Sequence, residues 1–196
     1  MRVLAPSLLI LACACLPALA QEIPKGTPPR PSRPEARAPL QPTRPRLSAN
    51  IVVGEKPPNF ELHTSRGRDL ALSSLRGEWV LLRFARDRRE LRPLRSIQQD
   101  LAALEVTLIG LCRDNPQGLR SFARREAFPF EIMADPTGEI SALYGLYDHT
   151  TSSSRNGCIV LDREGIVRLI LQGETEPATL VELARYAINE RRARTR

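Results

Sequence analysis

The sequence predicts an α/β fold over residues 51–190: a mixed central sheet of about five strands flanked by helices, with an N-terminal β-hairpin. Three observations predict it. Val80–Phe84 and Val106–Leu111 are short, mostly apolar runs, the pattern of strands covered on both faces. Between them Leu94, Ile97, Leu101 and Leu104 recur at helical spacing. Cys158–Leu161 and Ile166–Ile170 are two further apolar runs joined by Asp162, Arg163, Glu164 and Gly165, a hairpin signal. The resulting order βαβα(α)ββα implies helices on both faces of the sheet.

The elements follow in turn. Gly54 to Pro58 make a turn into Asn59–His63, which alternates apolar and polar as a half-exposed strand does. Gly67 marks a hairpin into Arg68–Leu72, and Ser73–Gly77 form a short helical turn. After the second buried run, Asp114, Asn115 and Pro116 start a helix, with an Asx residue suited to the cap and Pro to the first turn. That helix runs to about Ala127. Beyond Asp135–Gly138, Ile140, Leu143 and Tyr144 suggest a short helix ending at Gly145. Pro177 opens the last helix, with Leu180, Leu183, Ala184, Ala187 and Ile188 on one face.

Before this domain lie two segments of different character. Residues 1–20 read as a secretory signal: Arg2, the apolar stretch Val3–Leu16, and Ala18, Leu19 and Ala20 as a small-x-small cleavage site. The apolar stretch is shorter than the ~20 residues a bilayer span needs. The expectation is an exported protein, periplasmic or secreted. A rival processing route uses Ile10, Leu11 and Ala12 as a lipoprotein box that acylates Cys13. Residues 21–50 hold eight prolines and few large apolar residues, the composition of a Pro/Arg-rich disordered linker.

Charge separates by segment. Residues 21–50 carry six Lys/Arg against two acids, and residues 191–196 form a basic tail with four Arg and no acid. The 18 basic and 20 acidic residues of 51–190 make a near-neutral globule with basic ends. Export argues against a nucleic-acid partner, and the tails are read as solvated or as touching an anionic envelope surface. Two scattered His give no metal-ligand spacing, and no cofactor motif is found.

Several pieces together resemble the redoxins of the peroxiredoxin family (alkyl hydroperoxide reductase/thiol-specific antioxidant), nearest the bacterioferritin-comigratory type. They are Gly54–Leu62, Leu72–Gly77, Leu108–Asp114, Phe122–Phe130, Asp135–Gly138, Tyr144–Asp148 and Ile159–Gly165. The resemblance covers Val53–Glu190 and implies a thioredoxin-like fold. It also implies thiol-dependent peroxide or disulfide reduction, with a Thr/Ser-x-x-Cys or Cys-x-x-Cys motif at the helix start after the central strand. Laid without gaps, that motif begins on Glu90 and places its peroxidatic cysteine on Pro93. No cysteine occurs between Cys15 and Cys112.

Peroxide reduction needs a thiolate whose pKa is lowered by a helix N-terminus and nearby cations. Glu90 is comfortable at a helix start but cannot become a sulfenic acid, and Pro93 has no reactive group. Arg83, Arg86, Arg88, Arg89, Arg92 and Arg95 surround the vacated position. Of these, Arg86, Arg89 and Arg92 are a candidate anion patch, weighed against a solvated basic face that Asp87 and Glu90 partly neutralise. Arg155 falls where the family carries the arginine that orients peroxide.

The mature chain would keep two thiols, Cys112 and Cys158. They end and begin strands on opposite sides of the central strand, nearly 10 Å apart, too far for an unstrained disulfide. Both are expected to be reduced and largely buried. Three function classes follow. One is a catalytically degenerate domain that binds a partner or ligand at the old active-site rim. The second is an oxidoreductase using Cys112 or Cys158, with Arg155 lowering a thiol pKa and a protein reductant as partner. The third is an envelope interaction protein working through its basic tails.

Overall fold

The computed structural model describes residues 51–194. The signal segment 1–20 and the Pro/Arg-rich tract 21–50 lie outside the described residues. A five-stranded sheet forms the centre, in the order β5-β4-β3-β8-β9. Its strands are β3 (Trp79–Ala85), β4 (Val106–Cys112), β5 (Glu131–Ala134), β8 (Gly157–Leu161) and β9 (Val167–Gln172). The β3–β4 and β4–β5 pairs are parallel, while β3–β8 and β8–β9 are antiparallel. The predicted N-terminal hairpin is β1 (Glu61–His63) with β2 (Asp69–Ala71), closed around Gly67 at φ +83°.

Side-chain alternation along β3 builds the two cores. Val80, Leu82 and Phe84 face a layer holding Phe60, Tyr144, Leu146 and Ile159. Leu81 and Ala85 face the other layer, with Leu91, Leu101, Leu119, Leu180 and Ile188. Helices cover that second face: α1 (Gln98–Ala103), α2 (Pro116–Glu126) and α4 (Pro177–Arg194). The short α3 (Glu139–Leu143) lies on the first. Fully burying a Leu such as Leu101 contributes roughly 2 kcal/mol. Because positions 81, 83 and 85 share one face, Arg83 is carried into the helix-covered core, where it is 4% exposed.

The structure departs from expectation at four places. The helix after β3 begins as a 3-10 segment, Arg88–Ile97, and is α-helical only over α1. Pro93 sits inside it, lacking the N–H an α-helix needs and crowding the preceding turn. The fifth strand is β5, which the sequence pattern did not flag; Arg68 pairs with its Glu131 and makes the burial of that carboxylate tolerable. A two-stranded ladder, β6 (Tyr147–Asp148) with β7 (Ser153–Ser154), was also unforeseen.

The basic tail is the fourth correction. Helix α4 continues to Arg194, and Arg191 ion-pairs with the buried Asp162 and with Glu164, 3.5 and 3.4 Å away. Residues 191–194 of the tail are therefore helical, with Arg191 half-buried and the next three exposed.

Candidate active site

The site predicted from the sequence lies where β3 leaves the sheet. Asp87 caps the 3-10 segment by accepting from the Arg89 amide at 2.7 Å. The Arg86 amide donates to Asn156 Oδ1 at 2.9 Å and to Glu90 Oε2 at 3.2 Å, which pins the turn to the start of β8. Glu90 and Pro93 then line one wall of a cavity of about 350 Å³. Arg83, Leu94, Asn156 and the stretch Glu174–Pro177 complete its lining, so three carboxylates, Glu90, Glu174 and Glu176, border the space with Arg83.

Arg83 is the buried group at this site. Its Nη1 donates to the carbonyls of Gly157 at 3.2 Å and Gly173 at 3.5 Å, while its Nε–H has no partner. Among the described residues no carboxylate lies within ion-pair distance of it. Burial pulls its pKa down, opposed by the Cys158 sulfur and the carboxylates of Glu90 and Glu174. On the opposite face of the sheet Gly157 admits Leu146: a Cβ there would stand 2.6 Å from Leu146 and 2.8 Å from the Leu171 carbonyl.

The two thiols are near the cavity in register but closed off from solvent. Cys158 pairs across the ladder with Arg83 and is 0% exposed; burial pushes its thiol up to about 11, against the pull of Arg83. Cys112 pairs with Ala85 at the opposite edge of β3 and is 1% exposed. Burial, aided by Asp114 and Asp87, pushes it up to about 12. Both are free thiols, kept apart by the intervening strand. With such values only about one thiol in 10,000, or fewer, is ionised at neutral pH.

Arg155 does not serve either thiol. Its guanidinium pairs with Asp148 at 3.0 Å and is half-exposed, holding the Asp148 carboxyl below the usual carboxylate range. It lies outside the cavity lining, and the neighbouring Asn156 faces the site instead. The basic patch is likewise divided among local partners. Arg86 pairs with Glu90 at 3.3 Å and with Glu174 at 3.7 Å, and Arg92 with Glu126 at 2.8 Å. Arg88 pairs with Asp114 at 2.7 Å, Arg88 and Arg92 both lie over the Phe122 ring, and Arg89 is exposed. These contacts describe a neutralised surface rather than one converging anion site.

What the sequence missed is the inward cation. The sequence pattern groups Arg83 with the surrounding arginines, although the alternation of Leu81, Arg83 and Ala85 puts it on a buried face. Glu174 and Thr175 gave no local signal, because the β9–α4 connection reaches the cavity only through tertiary packing.

The sheet order and helix placement define a thioredoxin-like domain of the redoxin class. The model of the AhpC/TSA family matches residues 53–170, and the chain belongs to that family of peroxiredoxins. A peroxiredoxin of Thermoplasma volcanium is 31% identical over 146 residues, covering 67% of this chain and 70% of that protein. Among solved structures, peroxidoxin BcpB of Mycobacterium tuberculosis superposes with a TM-score of 0.63 at 19% identity, over 72% of this chain and 98% of that one. AhpC of Enterococcus faecalis gives 0.64 at 14%, over 70% and 92%. At these identities the structures speak for the shared fold.

Proposed function

We propose that this protein is an exported, catalytically degenerate peroxiredoxin-fold module that binds a ligand or partner at the vacated active-site rim. The family's activity is of the thiol-dependent peroxidase type, and that chemistry begins with an accessible thiolate. The observation carrying the proposal is the content of the turn after β3: Glu90 and Pro93 line the cavity, and no sulfur lies between Cys15 and Cys112. The two thiols of the domain are buried, and burial disfavours their ionised form.

The test is peroxide consumption by the reduced protein together with dimedone trapping of sulfenic acid. No turnover and no label are expected. Stoichiometric labelling that disappears in Cys112→Ser or Cys158→Ser would instead establish an oxidoreductase. Export is tested by the mass of the mature chain after expression in a bacterium. Cleavage after Ala20 leaves Gln21 as the first residue, whereas a lipidated chain begins at Cys13.

A further inference from the structure

The 3-10 segment and helix α2 meet over an aromatic floor. Phe122 of α2 is 2% exposed, and its ring centroid lies 5.5 Å from that of Phe128. Three guanidinium carbons sit over the Phe122 ring, those of Arg88, Arg92 and Arg125 at 5.0, 5.5 and 5.9 Å. Arg95 lies 5.8 Å from the Phe128 ring. Four cations thus share one ridge, where like charges repel. Local pairing leaves an excess here. Asp114 answers Arg88, but Glu126 alone is shared among the other three. Its carboxyl is held below the usual carboxylate range by the Arg92 hydrogen bond and by the charges of Arg92, Arg95 and Arg125. Over residues 86–95 and 113–126 nine arginines stand against four acids, in a domain that is near neutral as a whole.

The guanidiniums are held in place yet keep donors open. Ring contacts and ion pairs restrain their stems, so a partner has less side-chain entropy to remove. Each guanidinium carries five N–H donors, and hydrogen bonds within the protein take one each from Arg88, Arg92 and Arg95. Arg92, Arg95 and Arg125 are exposed and Arg88 is half-buried, so further donors meet water. They are strung along the ridge rather than closed around a point. Arg88, Arg92 and Arg95 follow a 3-10 axis that rises about 2.0 Å per residue, which spaces them by about 8 and 6 Å. Alternate side chains of an extended peptide stand about 6.6 Å apart on one face.

We propose that this ridge docks an extended acidic segment of a partner protein, with carboxylates at alternating positions meeting Arg88, Arg92 and Arg95 and with Arg125 flanking them. Carboxylates match the planar guanidinium fork and bind it bidentately. A single-stranded nucleic acid binds through open aromatic faces, whereas the Phe122 ring is covered by arginines. A membrane surface takes up apolar side chains. Among the described residues the exposed large ones are Val52, Val53 and Tyr186, the last two beside Arg168 of β9 rather than on this ridge. None of the four arginines lines the cavity, so docking here stands whether or not the thiols react.

The experiment titrates the full chain with a capped peptide alternating serine and glutamate, read by nuclear magnetic resonance at the Arg92, Arg95, Gly118 and Arg125 amides. The comparisons are an isomer with its glutamates contiguous, a serine–lysine peptide, a thymidine oligonucleotide of the same length and phosphatidylglycerol vesicles. Saturable shifts that shrink with added salt are expected for the alternating peptide. The contiguous isomer should bind a few-fold more weakly, the oligonucleotide and vesicles more weakly still, and the lysine peptide not at all. Arg95→Gln with Arg125→Gln should weaken the alternating peptide by about tenfold. Arg185→Gln with Arg194→Gln removes the same charge from α4 and should change it by no more than about twofold. Should the first double variant fail to fold, Glu126→Gln carries the test, because losing the shared carboxylate should tighten binding. Absence of saturable shifts on the ridge, equal binding of the two isomers, or tighter binding of the oligonucleotide or the vesicles overturns the inference. So does an equal loss in the α4 variant, or indifference to Glu126→Gln.

Discussion

At the scale of single residues, two positions decide the chemistry. Pro93 stands in the cavity wall near Arg83 but has nothing to ionise. Replacing it with cysteine should create a thiol that peroxide oxidises: mass spectrometry after dimedone treatment should find one added label in Pro93→Cys and none in the parent. Cys112 and Cys158 set a second expectation. Their folded pKa values, about 12 and about 11, lie above the ordinary thiol value of 9.0, so the unfolded chain loses these protons first. Their contribution is complete below about pH 9 and is lost as pH rises toward the folded values. By about pH 10.5 urea unfolding should show a loss of about 2 kcal/mol per thiol, which Cys112→Ala with Cys158→Ala should largely remove.

At the scale of elements, legibility followed how local the cause was. The Asn115 cap could be read directly, since its side chain accepts from the Gly118 amide three residues on, at 2.7 Å. Asn115→Ala should cost about 1 kcal/mol in chemical denaturation, with little change in fold by circular dichroism. The buried runs of β3 and β4, and the β8–β9 hairpin, were legible for the same reason. Strand β5 was not. Its four residues show no alternation because all four are buried, and its leading Glu131 reads as a surface residue until Arg68 arrives from β2's approach. The 3-10 segment was hidden differently: Leu94, Ile97 and Leu101 fit a helix, but periodicity does not distinguish a Pro-tightened turn from an α-helical one.

At the scale of the whole molecule, Asp162 joins the β8–β9 turn to the end of α4. Its carboxylate accepts from the Glu164 and Ile166 amides at 3.0 and 2.9 Å and from Arg168 Nε at 2.6 Å, while Arg191 approaches from the helix. Asp162→Asn should destabilise the domain by about 3 kcal/mol, measured by urea unfolding, because it leaves Arg168 without its anion in a mostly enclosed position. The sequence could not announce this junction: Arg191 is one of four closing arginines, and only folding brings it against a buried acid 29 positions earlier. The same long-range logic hid the Arg83 cavity, whose walls come from three separated stretches of chain.

The placement of Cys112 and Cys158 on either side of β3 has one more consequence. Among the described residues a strand stands between the two thiols, so neither offers the other a partner for crosslinking. The domain should therefore fold alike in reducing and oxidising media, and each sample should run as the same band in electrophoresis with and without reductant.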